Sequence, residues 1–120
     1  MRKLLTLLSL TLLAALGLAG CSSTGPVTLG EDAVIIDVRT PAEYAEGHLQ
    51  GARNIDVSSP GFADVIAELP ADGEYLVYCR SGNRSAAAAS IMRDHGFTSV
   101  IDGGALDSAA TSTGLPIVTD

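Results

Sequence analysis

Several residue types that mark particular protein classes are scarce or missing in this chain. Of its 120 residues none is tryptophan, two are cysteine, and seven basic residues stand against 14 acidic ones, giving a net charge of −7. Such an acidic balance excludes the basic surface on which nucleic-acid binding depends. Two cysteines are too few for a dense disulfide framework. With 47% hydrophobic residues, however, the chain has the composition of a folded protein of one-domain length.

The longest hydrophobic run lies at the N-terminus and has the anatomy of an export signal. Arg2 and Lys3 precede an uncharged, leucine-rich segment at 4–19, which is shorter than the roughly 20 residues that span a bilayer. The run ends in Leu18-Ala19-Gly20-Cys21, which resembles the lipobox of bacterial lipoproteins. That resemblance implies cleavage before the cysteine, acylation of its sulfur and, usually, acylation of its new amino group.

These features divide the chain into three predicted parts: a lipoprotein signal peptide at 1–20, a lipid-anchored tether at 21–32 and one domain at 33–120. After cleavage, five arginines and no lysine would face 14 acidic residues, for a net charge of −9. Acyl chains on Cys21 would hold the protein at the cell envelope, on the extracytoplasmic side. Stable anchoring takes more than one chain, which acylation of both the sulfur and the amino group would supply. An uncleaved membrane anchor is the alternative.

The rest of the sequence alternates between strand-like and helix-like segments. Short apolar runs predict strands at 33–38, 52–57, 75–78 and 99–101, with Gly103-Gly104 turning out of the last one. This alternation favours a small α/β domain with a central parallel sheet of four to five strands and helices on both faces.

Cap signals place the helices between those strands. Thr40, Pro41 and Glu43 together predict a helix start with a capping box. Ser59-Pro60 predicts a second start by the same logic, and the spacing of Phe62, Val65, Ile66 and Leu69 predicts one buried face. A third helix is predicted from Ser85 to His95, stopped by Gly96. The Ala/Ser/Thr-rich segment up to Gly114 is predicted to form a loose helix.

The reactive chemistry is concentrated in one loop, Cys79-Arg80-Ser81-Gly82-Asn83-Arg84-Ser85. If Cys21 is acylated, Cys79 is the only free thiol, at the end of a buried strand and before a helix. A short polar loop here can turn its backbone N–H groups inward, and the helix N-terminus adds positive potential. Both lower the pKa of a cysteine, so we expect Cys79 to be an anionic nucleophile. A buried structural cysteine is the alternative.

Four motifs follow one another along the chain: Ile36-Asp37-Val38-Arg39, Pro41-Ala42-Glu43-Tyr44, Gly47-His48-Leu49-Gln50-Gly51-Ala52, and Cys79 to Ser85. In this order they resemble the rhodanese family of sulfurtransferases. Gly103-Gly104 matches a further signal of that family, and the resemblance extends over roughly residues 33–118. The family commonly places a tryptophan shortly after the paired glycines, and this chain has no tryptophan.

The resemblance implies that Cys79 takes sulfur from an anionic donor, thiosulfate or a persulfide, and passes it to a thiol or to cyanide. Loop residues Arg80, Ser81, Gly82, Asn83, Arg84 and Ser85 would bind the substrate. Asp37 and Arg39 would form a supporting charged pair, and His48 would set a turn. No metal or organic cofactor is implied, and neither is a nucleic-acid partner.

Other functions are alternatives to this one. Related phosphatases and arsenate reductases place an arginine six positions after the cysteine, whereas that position here is Ser85 and the arginine comes one residue earlier. The shorter loop favours a sulfur atom over a tetrahedral oxyanion. A non-catalytic binding or thiol redox-sensing module at the membrane is a second alternative, and a tethered scaffold that keeps the loop without using it is a third.

Overall fold

The computed structural model describes residues 25–120, so the predicted signal peptide and Cys21 lie outside the described residues. Strands and helices alternate through most of this part of the chain. The strands are β1 (Val34–Asp37), β2 (His48–Leu49), β3 (Arg53–Asn54), β4 (Glu74–Cys79), β5 (Ser99–Ala105) and β6 (Ile117–Val118). The helices are α1 (Pro41–Glu46), α2 (Phe62–Ile66), α3 (Asn83–Asp94) and α4 (Leu106–Thr113). None of these helices is long and apolar enough to cross a membrane.

Four strands form a parallel sheet in the order β3-β1-β4-β5, which confirms the predicted α/β fold. The apolar runs of β1 and β4 occupy its centre, as expected for strands covered on both faces. Since the strands are parallel, their carboxyl ends share one edge of the sheet, the usual location of ligands in such folds.

Side chains of the central strands alternate between two hydrophobic clusters, one on each face of the sheet. On the first face, β1 and β4 pack Ile36 and Val77 against α2 and α3, which contribute Ile66 and Met92. On the second face, Leu76 of β4 lies in a cluster with residues of α1 and α4. The predicted arrangement, with helices on both faces, is therefore correct.

The predicted second strand differs from the observed one. Only Arg53 and Asn54 pair with β1, although the backbone N–H of Ile55 still donates to Asp37 O at 2.9 Å. The two-residue strands β2 and β6 were not predicted. They form an antiparallel pair in which His48 faces Val118. Strands this short carry no readable alternation.

The second helix begins later than predicted, and its buried face is narrower. Ser59 does not cap it: the Ser59 hydroxyl accepts from Gly61 N–H within a turn, and the helix begins at Phe62. Phe62 and Ile66 are buried as predicted, but Val65 is 43% exposed. A five-residue helix makes little more than one turn, so only Phe62 and Ile66, four residues apart, share its buried side, and Leu69 lies beyond its end.

Two further boundaries differ, and the predicted last helix is present. Gly103 and Gly104 lie within β5 rather than in a turn after it, since Cys79 pairs with Ala105 beyond an irregularity in the register. The helix α3 begins at Asn83, two residues before the predicted Ser85. The Ala/Ser/Thr-rich segment is a helix of eight residues, α4.

Part of the predicted tether is described and lies against the domain. The backbone N–H of Val27 donates to Ser112 O at 2.8 Å, and Gly30 N–H donates to Glu74 Oε1 at 2.7 Å. Val27 and Leu29 pack beside the cluster on the second face.

Candidate active site

Polar groups from three strand ends meet at the carboxyl edge of the sheet. Asp37 lies opposite Tyr78 in the β1–β4 register, and Cys79 lies opposite Ala105 at the end of β5. The sequence places Asp37 and Cys79 at the last positions of β1 and β4. The parallel topology brings them together.

The cysteine loop, defined as residues 79–85, curls around its own sulfur. The backbone N–H of Gly82 donates to Cys79 Sγ at 2.9 Å. Gly82 has φ +100°, a left-handed conformation that favours glycine, and it is also the N-cap of α3. The loop thus aims a backbone donor at the sulfur and starts the helix directly behind it, as predicted.

Ser85 completes the surroundings of the sulfur. Its side chain is fully buried, and Cys79 Sγ donates to Ser85 Oγ at 3.5 Å. The Ser85 hydroxyl in turn donates to Gly82 O at 3.0 Å. When the sulfur is ionised, the same hydroxyl can rotate and donate to it.

These contacts set the ionisation of Cys79, which is itself fully buried. Burial alone would raise the pKa of the thiol, because it penalises the charged form. Hydrogen bonds from the Ser85 side chain and from the backbone N–H groups of Ser81, Gly82 and Ser85 outweigh burial, and the pKa of Cys79 lies below its ordinary value. The loop therefore stabilises an anionic sulfur.

The two arginines of the loop are placed differently. Arg84 donates from Nη1 and Nη2 to the two carboxylate oxygens of Glu43, at 2.7 and 2.9 Å. The hydrogen bond from Arg84 lowers the pKa of Glu43 to about 2. Arg80 is exposed and makes no ion pair within residues 25–120. Of the two predicted substrate-binding arginines, Arg84 is therefore held by Glu43, whereas Arg80 is unpaired among the residues that the structure describes.

Asp37 and Arg39 form the predicted charged pair beneath the loop. Arg39 Nη2 donates to Asp37 Oδ2 at 2.6 Å and to Gly47 O at 2.6 Å. Tyr78, the neighbour of Cys79, donates from its hydroxyl to the same carboxylate oxygen at 2.8 Å. Burial raises the pKa of Tyr78, which keeps this phenol protonated as a donor. The network joins β1 and β4 to the end of α1.

Of the other predicted site residues, Ser81 and Asn83 are exposed on the loop. His48 is buried, stacked on Tyr44 with ring centroids 3.7 Å apart, and its Nδ1 is 2.9 Å from Tyr44 O. Its Nε2 lies 3.3 Å from Asp120 Oδ1, so the imidazole contacts α1 and the C-terminal residue.

Sequence reasoning missed two members of the site, Glu43 and Tyr78. Glu43 was assigned only to the capping box of α1, and Tyr78 only to a buried strand. The one available signal for Glu43 was its place in the second motif of the resemblance.

Comparison with known proteins agrees with this geometry. The profile of the rhodanese-like domain family matches residues 28–107. Thiosulfate sulfurtransferase GlpE of Pseudomonas entomophila is 43% identical over 76 residues, which cover 62% of this chain and 68% of that protein. A sulfurtransferase of Allochromatium vinosum is 36% identical over 90 residues, which cover 73% of this chain and 80% of that one. A solved rhodanese with anions from E. coli superposes with a TM-score of 0.62 at 31% identity, covering 73% of this chain and 99% of that one.

With this fold, this cysteine loop and these relatives, the chain belongs to the rhodanese-like domain family. It is an enzyme of the rhodanese sulfurtransferase type, in line with the sulfurtransferases to which it is similar. The resemblance seen in the sequence motifs is confirmed at this level.

Proposed function

We propose that Cys79 carries sulfane sulfur as a persulfide, taking it from an anionic donor such as thiosulfate and giving it to a thiol or to cyanide. The observation that carries this proposal is the Gly82 N–H pointed at Cys79 Sγ, in a loop that lowers the pKa of the thiol. Relatives named thiosulfate sulfurtransferase support thiosulfate as the donor.

In the first step, the Cys79 thiolate attacks the outer sulfur of thiosulfate. A new S–S bond forms on Sγ, the sulfur–sulfur bond of thiosulfate breaks, and its electron pair leaves with sulfite. The terminal persulfide sulfur keeps one negative charge, so backbone donors of the cysteine loop serve it as an oxyanion hole serves developing charge. Arg80, which makes no ion pair within residues 25–120, attracts the anionic donor.

In the second step, an acceptor thiolate or cyanide attacks the terminal sulfur. Its bond to Sγ breaks, and the electron pair returns to Cys79 as the thiolate. The product is an acceptor persulfide or thiocyanate, and no external oxidant or reductant is consumed.

The test is an intact-mass measurement on the purified chain after incubation with thiosulfate. We expect a gain of one sulfur atom that is absent in Cys79→Ser and is removed by cyanide as thiocyanate over many turnovers. A folded protein whose mass never changes would overturn the proposal and favour a binding or redox-sensing module.

The proposal includes anchoring at the cell envelope through acyl chains on Cys21, on the extracytoplasmic side. Its support is the sequence Leu18-Ala19-Gly20-Cys21 after a charged head and an apolar run. Cells fed labelled palmitate should label the wild-type chain and not Cys21→Ser. Equal labelling of both, or of neither, would overturn the anchor.

A further inference from the structure

A groove of about 320 Å³ lies beside the cysteine loop, at the carboxyl edge of the sheet. Its volume is at the lower end of small-molecule sites, about 300–1,000 Å³, which suits a ligand of amino-acid size. Arg80, the residue after the reactive cysteine, forms part of its wall. The residues that line the groove are Arg39, Glu43, Glu46, Arg80, Leu106 and Asp107.

Charges of both signs line this groove, and two of them are already neutralised. Arg39 is held by Asp37, and Glu43 is held by Arg84. Within residues 25–120, the side chains of Arg80, Glu46 and Asp107 make no ion pair, and all three are exposed. As far as the described part of the chain shows, the groove therefore presents one unpaired cation and two unpaired anions to a ligand.

These unpaired charges are poorly matched to thiosulfate or cyanide, each of which carries only negative charge. A ligand that satisfies both signs carries a carboxylate for Arg80 and an ammonium for Glu46 and Asp107. It also needs a thiol, because the neighbouring loop delivers sulfur. The geometry points to an amino-acid-type thiol, carrying both an α-ammonium and an α-carboxylate, as the preferred sulfur acceptor of this enzyme.

This inference rests on the proposed function and specifies its second step. The acceptor thiol gives its proton to solvent, and its thiolate forms an S–S bond with the terminal sulfur of the Cys79 persulfide. The bond to Sγ breaks, and Cys79 leaves as a thiolate. The product is the persulfide of the amino-acid thiol.

The experiment loads the full chain with thiosulfate and then measures kcat/KM for four acceptors, expressed per thiolate. Cysteine carries both charges, its methyl ester only the ammonium, N-acetylcysteine only the carboxylate, and 2-mercaptoethanol neither. We expect cysteine to exceed each singly charged analogue by about fivefold, the size of an exposed ion pair, and 2-mercaptoethanol by more.

Charge variants assign each part of the preference to its residue. Arg80→Gln should reduce the ratio of cysteine to its methyl ester, because the carboxylate loses its partner. Glu46→Gln and Asp107→Asn should each reduce the ratio of cysteine to N-acetylcysteine. Glu68→Gln on the opposite face changes the net charge by the same +1 as the two acid variants, and both ratios should stay at wild-type values.

The outcomes separate this inference from the function on which it rests. Sulfur loading and cyanide discharge with equal rates for all four thiols would overturn the inference and leave the sulfurtransferase proposal intact. Ratios that fall equally in Glu68→Gln would also overturn it, because the preference would then follow net charge. Failure to load sulfur at all would overturn the proposed function itself.

Discussion

The cysteine loop and the β5–α4 segment, defined as residues 103–113, both depend on glycine, but for opposite physical reasons. Gly82 in the loop has φ +100°, and a Cβ built there meets nothing within 4 Å. Gly103 has no such φ, but a Cβ there would lie 2.9 Å from Leu76 Cδ2 and 3.1 Å from Val77 O. Position 82 requires a residue that adopts the left-handed backbone conformation, and position 103 requires a residue without a side chain.

The two regions also differ in the kind of contact that holds them, polar in the cysteine loop and apolar in the β5–α4 segment. The loop is held by polar bonds, with Gly82 N–H and Ser85 Oγ on the sulfur and Arg84 paired with Glu43. The segment has no side-chain cap at the start of α4 and packs through small residues such as Ala109. Chemistry at the sulfur should therefore respond to polar changes in the loop, and stability should respond to volume changes in the segment.

Gly103→Ala should have the largest effect on stability. The added methyl meets the backbone of a central strand, which cannot move away, so we expect a loss of about 1–3 kcal/mol in the free energy of unfolding. Urea denaturation measures this loss. The alkylation rate of Cys79 in the folded protein should be unchanged. A loss of stability below about 0.5 kcal/mol would contradict the view that position 103 has no room for a side chain.

Gly82→Ala should cost about 1–2 kcal/mol through left-handed strain alone. It should also move the Gly82 N–H away from the sulfur, so the pKa of Cys79 should rise. The measurement is the pH dependence of alkylation by iodoacetamide, whose midpoint should shift upward. Gly114→Ala is the matched control, since Gly114 has φ +74° and equally open surroundings far along the chain. A similar midpoint shift in that control would contradict the assignment.

Glu43→Gln should cost on the order of 1 kcal/mol at neutral pH, the usual limit for an ion pair with access to solvent. The pKa of Glu43 falls from 4.5 to about 2 on folding, so its contribution is present above pH 4.5 and is lost as pH falls toward 2. Acid titration of stability over that window should be shallower in the variant. Glu46→Gln, in the last turn of the same helix, removes an equal charge but no ion pair within residues 25–120, so it is the control for the cost at neutral pH.

Ser112→Ala should have the smallest effect, within about 0.5 kcal/mol. The Ser112 hydroxyl donates to Ala109 O at 3.3 Å, but Thr113 Oγ1 already donates to that carbonyl at 2.6 Å. Thermal unfolding checks the value. A loss above about 1 kcal/mol would show that the segment depends on polar contacts after all.

The sequence predicts local features of this protein better than distant ones. The capping box at Thr40 is confirmed: Thr40 Oγ1 accepts from Glu43 N–H, and Glu43 Oε1 accepts from Thr40 N–H, both at 3.3 Å. The pairing of Glu43 with Arg84 spans 41 residues and leaves no local pattern. The same holds for the short β2–β6 pair. The burial predicted for Val65 was wrong. The spacing predicts a buried face of four residues, but α2 ends at Ile66, and only Phe62 and Ile66 share its buried side.

One oxygen, Glu43 Oε1, serves both the first turn of α1 and the cysteine loop. It accepts from Thr40 at 3.3 and 3.1 Å and from Arg84 Nη1 at 2.7 Å. Cys79 itself has no exposed surface, so the residues around it control access to its sulfur. A movement of Arg84 would leave both capping bonds between Thr40 and Glu43 in place, but it would release the carboxylate that they share. We therefore expect amide hydrogen exchange in α1 to report on movements of the cysteine loop.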